Sequence, residues 1–313
     1  MAARLRFLAF LLFAAVLFSA CGQAATASAR SETASVPSES VTDAAVYLIP
    51  SMALSGFDAS AAETDGGVRA DLSSLPDGYI AMSVSSDTRL KFQVLRGDEK
   101  YNYDLPNDGT PTVYPLNLGS GDYTFRVMKN VTGCKYTELW SRTETVALQS
   151  EFAPFLRPSQ LIPYDANSAC VAKARELAAA CQDDVAVVSA VYDWMVEAVS
   201  YDRNKAERVQ SGYLPNPDAT LESGTGICFD YAALAAAMLR SLGIPCKLIT
   251  GYVDPDEVYH AWNEIYLDHQ GWITVEIKAG ADTWKRVDIT FAASGVSPSE
   301  TDDDALYTTR YIY

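Results

Sequence analysis

Between about residues 46 and 148, apolar and polar side chains alternate in short runs that are separated by glycine, asparagine and aspartate. In the clearest run, Tyr123, Phe125 and Val127 share one face of the chain, and polar residues lie between them. A period of two indicates a strand with one buried face, and short strands at regular spacing predict a small antiparallel β-sandwich. The expected strands are Ile80–Ser85, Lys91–Leu95, Tyr101–Leu105, Val113–Leu118, Tyr123–Lys129 and Thr143–Leu148.

Beyond a proline-containing stretch from Pro154 to Pro163, the period changes to that of helices. Helices are expected at about Ser168–Cys181, at Asp184–Val199, and from Cys228 to a stop at Gly243. Because domain boundaries fall in such linkers, the sequence predicts separate units at residues 44–150 and 164–313.

Four further strands are expected after the last helix, in an antiparallel meander. They are Lys247–Val253, His260–Leu267, Trp272–Ile277 and Trp284–Phe291. The predicted fold class is therefore α+β, with an N-terminal antiparallel β-sandwich followed by a domain of helices and an antiparallel sheet.

The sequence of the first 43 residues predicts an export signal and a tether, and no folded domain. Arg4 and Arg6 precede a short apolar run and then Cys21, so residues 1–20 are expected to be a signal peptide. The cysteine at the cut resembles a bacterial lipobox, which implies that Cys21 carries lipid and anchors the protein to the outer side of the cell membrane. The alternative is an ordinary signal peptide with a coincidental cysteine. Residues 21–43, rich in Ala, Ser, Thr and Glu, predict a disordered tether.

The charge of the chain excludes one class of function. The formal net charge is −16, and it becomes −18 once the leader with its two arginines is removed. Nucleic-acid binding requires a basic face, so no nucleic-acid partner is expected. The negative charge is typical of a soluble secreted domain.

The cysteines and histidines give little sign of a metal site or of disulfides. There is no C-x-x-C motif and there are two histidines, so neither a structural zinc site nor a cofactor is expected. Cys170 and Cys181 share one predicted helix, about 16 Å apart along its axis, which is too far for a disulfide. Whether Cys134 and Cys246 form a disulfide stays open.

One group of residues predicts chemistry. Cys228 follows two glycines and begins a helix, where free N–H groups and the helix dipole favour a thiolate. Taken alone, a cysteine is more often a buried core residue. His260 begins a strand downstream and Asp288 lies on a nearby one, so a thiol, an imidazole and a carboxylate can meet. The other histidine, His269, is expected in a turn.

The motifs around these residues resemble the transglutaminase-like superfamily, a papain-type thiol fold. They are Gly224-x-Gly226-x-Cys228-x-Asp230-Tyr231, Leu239-Arg240-x-x-Gly243-Ile244-Pro245, Gly251-Tyr252, His260-Ala261-Trp262-x-Glu264 and Asp288-x-Thr290. The resemblance implies that Cys228 is the nucleophile, His260 its base and Asp288 the group that orients the imidazole. Ile289 stands where the family usually has proline, and Glu276 and Asp282 are competing carboxylates.

The resemblance implies a thiol enzyme at the cell surface, of a family that includes cross-linking enzymes, peptidases and amidases. Its substrate would be a protein or peptide amide, and the thioester intermediate would be resolved by water or by an amine. The main-chain N–H of Cys228 would help to hold the oxyanion. An open loop at Gln210–Ala219 is a candidate gate of the cleft. The alternative function is a non-catalytic surface adaptor or binding lipoprotein.

Overall fold

The computed structural model describes residues 47–253, 258–279, 284–288 and 307–313. For Val253, Val258, and residues 276–279 and 284–288 it describes the main chain. The predicted leader, the lipidated Cys21, the whole of the tether, and Asp282 lie outside the described residues. Residues 44–313 form one compact unit.

The alternating region forms two four-stranded antiparallel sheets, which confirms the predicted β-sandwich. The strand orders are β1-β2-β3-β6 and β5-β4-β7-β8. The strands are β1 Glu63–Asp65, β2 Val68–Asp71, β3 Tyr79–Val84, β4 Leu90–Arg96, β5 Glu99–Leu105, β6 Thr112–Pro115, β7 Gly121–Thr132 and β8 Lys135–Val146. Phe92 of β4 and Tyr114 of β6 meet between the sheets, with ring centroids 4.7 Å apart. Both residues are fully buried, so the apolar face of each sheet closes the core.

The hairpin of β7 and β8 is longer than the sequence pattern predicts. The expected strand began at Thr143, whereas β8 begins at Lys135 and pairs with β7 along its length. Most side chains of the added half are exposed on both faces, so no apolar alternation marks them. Gly133, with φ of +52°, supplies the left-handed residue that the tight turn requires.

Five α-helices follow the sandwich in the described part of the chain. They are α1 Ala169–Ala178, α2 Asp184–Ala198, α3 Arg203–Arg208, α4 Pro217–Ser223 and α5 Cys228–Ser241. The α2 and α5 predictions are close to the observed bounds, but α1 ends three residues before Cys181. The short helices α3 and α4 were not predicted, and α4 replaces the last residues of the loop expected at Gln210–Ala219. Within the described ranges, no helix is both long enough and apolar enough to cross a membrane.

A five-stranded antiparallel sheet packs against α5, in the order β14-β13-β12-β11-β15. Its strands are β11 Cys246–Val253, β12 Val258–Leu267, β13 Gly271–Ala279, β14 Trp284–Asp288 and β15 Tyr307–Ile312. The four-strand meander is confirmed, and β15, which adds to the free edge of β11, was not predicted. A two-residue parallel ladder joins β9 Ser200–Tyr201 to β10 Thr225–Gly226 just before α5.

The sandwich and the second sheet share a tyrosine-lined junction. The ring centroid of Tyr101 lies 5.2 Å from that of Tyr311 and 5.6 Å from that of Tyr313. The Tyr101 hydroxyl also accepts a hydrogen bond of 3.1 Å from the main-chain N–H of Ile312. Separate folding of the two halves stays a prediction, and separation would expose these contacts to water.

Candidate active site

Cys228 is the first residue of α5, as the sequence predicts, and it is half-buried. The turn that delivers it needs glycine at two positions. Gly224 ends α4 with φ of +61°, which is unfavourable for other residues. A Cβ on Gly226 would lie 2.8 Å from the Cβ of Asp230, so the chain passes too close to the helix for any side chain there.

Asp230 lies in the same helical turn as Cys228 and has none of its surface exposed. Its carboxylate accepts a hydrogen bond of 2.9 Å from the main-chain N–H of Ile227, the residue that caps the helix. It also accepts hydrogen bonds of 2.6 Å from the Nζ of Lys205 and of 2.6 Å from the Tyr213 hydroxyl. We refer to Asp230, Lys205 and Tyr213 as the Asp230 cluster.

The cluster changes the proton affinity of its members. Burial lowers the pKa of Lys205, but hydrogen bonds to Asp230 and Tyr213 outweigh burial and raise it overall. Burial raises the pKa of Tyr213, and the hydrogen bond to Asp230 raises it further. At neutral pH the lysine is therefore charged and balances the buried carboxylate.

A small cavity of about 10 Å³ lies beside the thiol. Its walls are Tyr192, Cys228, Tyr231, Ala232, Ala261, Trp262 and Asn263. This volume is about enough for one water molecule. A substrate must therefore reach Cys228 from its exposed side, or enter after the surroundings open.

Asn263 joins three elements around this cavity. Its buried amide donates hydrogen bonds of 3.0 Å to the main-chain oxygens of Ala232 in α5 and Lys247 in β11. Its oxygen accepts a hydrogen bond of 2.9 Å from the hydroxyl of Tyr192 in α2. The side chain is fully satisfied, and it fixes β12 against the helix that carries the thiol.

Tyr201 is a further polar group near the thiol. Burial raises the pKa of Tyr201, and the negative charge of the Cys228 thiolate raises it further. Tyr201 ends β9, which pairs with the β10 segment two residues before Cys228. No sequence motif marks Tyr201, because the parallel ladder brings it close from another part of the chain.

The other described cysteines differ from Cys228. Cys134 is exposed at the β7–β8 turn, whereas Cys170, Cys181 and Cys246 are buried, and all are free thiols. Burial raises the pKa of Cys170 and Cys181, and it raises that of Cys246 to about 12. Buried thiols of this kind are inert toward electrophiles.

His260 is half-buried on β12, where its Cα pairs with that of Gly251. Ala261 and Asn263 are buried on the face that meets α5. Ala261, Trp262 and Asn263, the three residues after His260, line the cavity beside the thiol. The structure thus brings the His260 segment of β12 close to Cys228.

The candidate carboxylates lie at different distances from β12. Asp288 is the last residue of β14, and its Cα pairs with Val275 of β13, which in turn pairs with Asn263. Asp288 is therefore two strands away from β12, about 10 Å across the sheet. Glu276 follows Val275 on β13, the strand directly beside β12. The catalytic roles of Cys228, His260 and Asp288 stay predictions.

Sequence reasoning missed the residues that support the thiol. Asp230 and Asn263 stand inside the quoted motifs, so a polar residue at a buried helix or strand position was the available signal. Lys205 and Tyr213 carry no comparable signal. Among the described residues, no group of three or more His, Cys, Asp or Glu side chains could hold a metal ion.

Part of the chain is similar to known proteins. Residues 171–277 match the model of the transglutaminase-like superfamily. A stretch of 150 residues, 42% of this chain, is 27% identical to 48% of an uncharacterised protein of Mycobacterium leprae. A stretch of 71 residues, 19% of this chain, is 32% identical to 11% of a protein-glutamine gamma-glutamyltransferase of Pseudomonas aeruginosa. The transglutaminase of red sea bream superposes with a TM-score of 0.32 at 13% identity, over 68% of this chain and 50% of that one.

The matches leave much of these proteins uncovered, since the chain spans about half or less of the length of the curated relatives it matches. The family match contains Cys228, His260 and Glu276, and it ends before Asp288. Residues 171–277 of this chain therefore match a transglutaminase-like domain, and a β-sandwich precedes the matched segment.

Proposed function

We propose that the protein is a thiol enzyme that attacks a peptide or glutamine-type amide through Cys228. The observation that carries the proposal is the position of this thiol. It is half-buried at the first residue of α5, inside the segment that matches the transglutaminase-like superfamily. A helix start favours the thiolate, which is the nucleophilic form.

The proposed reaction has two steps. The sulfur of Cys228 forms a bond to the amide carbon, the carbon–nitrogen bond breaks, and the leaving nitrogen takes a proton from the His260 imidazolium. The resulting thioester is then cleaved by water or by a primary amine, whose proton passes to the imidazole. Main-chain N–H groups at the start of α5 would stabilise the oxyanion.

The position of β12 supports the role of His260 in this reaction. The three residues after it, Ala261, Trp262 and Asn263, line the cavity beside the Cys228 thiol.

We also propose that the enzyme acts outside the cell, anchored by lipid on Cys21. The support is the sequence pattern of residues 1–21, and the proposed partners are a membrane and a protein or peptide substrate. Mass spectrometry of the native protein should find an acylated N-terminal Cys21. A free N-terminus at Gln23 or beyond would exclude the lipid anchor.

A screen of peptide amides, with and without a primary amine, tests the reaction. Mass spectrometry distinguishes hydrolysis from amine transfer by the mass of the product. Cys228→Ala should abolish both products, whereas Cys134→Ala, which removes an exposed thiol on the sandwich, should leave them unchanged. If the wild-type chain turns over none of the amides and forms no thioester, the enzyme proposal fails.

A second function, a non-catalytic surface adaptor, is favoured by one observation. The cavity beside Cys228 has a volume of about 10 Å³, which is about enough for one water molecule and too small for a peptide side chain. An amide-reactive thiol probe separates the two functions. Labelling of Cys228 that falls in the His260→Ala variant supports the enzyme, and labelling that is unchanged in this variant supports the adaptor.

A further inference from the structure

We infer that Asp230 is a positioning residue for Cys228, and that Lys205 and Tyr213 hold Asp230 in place. The β-sandwich stabilises this arrangement where Asp104 lies close to Gly212. The inference rests on the proposed function, since it concerns how the proposed nucleophile is held. It assigns a role to the sandwich that no motif of the chain suggests.

The first step is the connection between Asp230 and the loop from Val209 to Asn216, which joins α3 to α4. The Asp230 carboxylate binds Tyr213 from this loop and Lys205 from α3. The rings of Tyr213 and Phe229, the residue after Cys228, lie 6.5 Å apart in an edge-on arrangement. The loop is thus fastened to the helical turn that carries the thiol.

The second step is electrostatic. Asp230 places a buried negative charge two residues from Cys228, where it disfavours a thiolate. Lys205 forms an ion pair of 2.6 Å with it, and the lysine side chain is 30% exposed. Tyr213, from the loop, donates to the same carboxylate, and Tyr201 of β9 lies near both Cys228 and Arg203. Lys205 is the cation that pairs directly with Asp230 and offsets its charge.

The third step links the cluster to the sandwich. Gly212 has φ of +88°, and a Cβ on it would lie 3.1 Å from the Oδ2 of Asp104, at the end of β5. Asp104 is held in turn by Arg89 at 2.8 Å and Lys91 at 2.9 Å. Gly212 thus lies close to Asp104 of the sandwich, and its neighbour Tyr213 donates a hydrogen bond to Asp230.

The test measures the rate of iodoacetamide alkylation of Cys228 against pH in the full chain, read by peptide mass spectrometry. Lys205→Met leaves the Asp230 charge without its partner, so the midpoint of the pH profile should rise by about one pH unit. The double variant Lys205→Met/Asp230→Asn removes both charges, so its midpoint should return toward that of the wild type. Tyr213→Phe removes no charge and should leave the midpoint unchanged.

The role of the sandwich is tested with a matched pair of glycines. Gly212→Ala adds a methyl group against Asp104, whereas Gly119→Ala imposes a similar strain at φ of +78° with nothing within 4 Å. We expect Gly212→Ala, and not Gly119→Ala, to slow alkylation of Cys228 several-fold while the melting temperatures of the two variants stay similar. Equal rates in both variants would overturn the link to the sandwich.

The outcomes separate this inference from the proposed function. Alkylation needs no substrate, so it can be measured in a chain that turns over no amide. If the midpoint shifts in such a chain, the positioning role holds and the proposed enzyme activity fails. If the wild type turns over an amide but its alkylation midpoint is the same as that of folded Lys205→Met, the positioning role is overturned. If Lys205→Met does not fold, the variant Asp230→Asn decides. It removes the unfavourable negative charge and keeps the charge of Lys205, so the midpoint should fall below that of the wild type, and an unchanged midpoint overturns the positioning role.

Discussion

The guanidinium of Arg240, near the end of α5, donates a hydrogen bond of 2.9 Å to the main-chain oxygen of Tyr313, just after β15. Arg240 is fully buried, and it also donates to the main-chain oxygens of Cys246 and Arg157, both at 2.8 Å. These three oxygens belong to the hairpin after α5, the linker after the sandwich, and the last strand. One side chain thus joins the parts of the fold that meet behind the thiol helix.

Replacing Arg240 with methionine should destabilise the protein by about 3 kcal/mol or more, because three buried oxygens lose their donors at once. The free energy of unfolding in urea measures this loss. Arg208→Met, on the exposed end of α3, is the matched control and should change the free energy by less than about 0.5 kcal/mol. Equal stability of the two variants would mean that water satisfies the three oxygens.

The cysteines should react in an order set by their surroundings. With limiting iodoacetamide near neutral pH, we expect alkylation of Cys228 first, then of exposed Cys134, and none of Cys170 or Cys246 in the folded state. Peptide mass spectrometry after denaturation gives the extent at each site. If Cys228 resists alkylation as completely as Cys246 does, it is a core thiol and the enzyme proposal is wrong.

The identity of the orienting carboxylate can be decided by two isosteric substitutions. The sequence favours Asp288, whereas Glu276 lies on the strand beside β12 and inside the family match. Each would act by holding the imidazole of His260, so its removal should slow amide turnover by at least about tenfold. Turnover of Glu276→Gln and Asp288→Asn, measured on one amide, tells them apart. If turnover falls in Glu276→Gln alone, the orienting carboxylate is Glu276 and not Asp288.

The sequence was informative where a feature repeats locally. Alternation predicted the sandwich strands with a clear apolar face, and two glycines before a helical run predicted the position of Cys228. It failed at the first half of β8, because a strand exposed on both faces has no apolar period. It also missed β15, which depends on pairing with the distant β11.

The supporting residues of the site depend on contacts that sequence spacing does not encode. Lys205 and Asp230 lie 25 residues apart, and the acceptors of Arg240 lie up to 83 residues away from it. The position of His260 beside Gly251 follows from the pairing of β12 with β11, which no motif encodes. The identities of the three candidate catalytic residues could be read from motifs, but not their mutual geometry.

The stability of the protein should fall in acid, partly through Asp218. Its carboxylate, in the first turn of α4, accepts a hydrogen bond of 2.9 Å from the main-chain N–H of Cys170 at the start of α1. Burial raises the pKa of Asp218, but the hydrogen bonds from Cys170 and its neighbours outweigh burial and lower it from the usual 3.8. A group whose pKa is lower in the folded state stabilises the fold above its unfolded pKa, and the stabilisation disappears as pH falls through the folded value.

The variant Asp218→Asn keeps an acceptor and removes the charge. It should therefore be less stable than the wild type by up to about 1 kcal/mol at pH 7, and this difference should disappear as pH falls through the lowered pKa of Asp218, once both side chains are neutral. Urea unfolding at a series of pH values measures the difference directly. Glu222→Gln, at an exposed position of the same helix, is the control, and a pH-dependent difference of the same size there would assign the effect to net charge. A difference that persists unchanged to pH 2 would instead mean that the hydrogen-bond geometry, and not the charge of Asp218, holds α1 and α4 together.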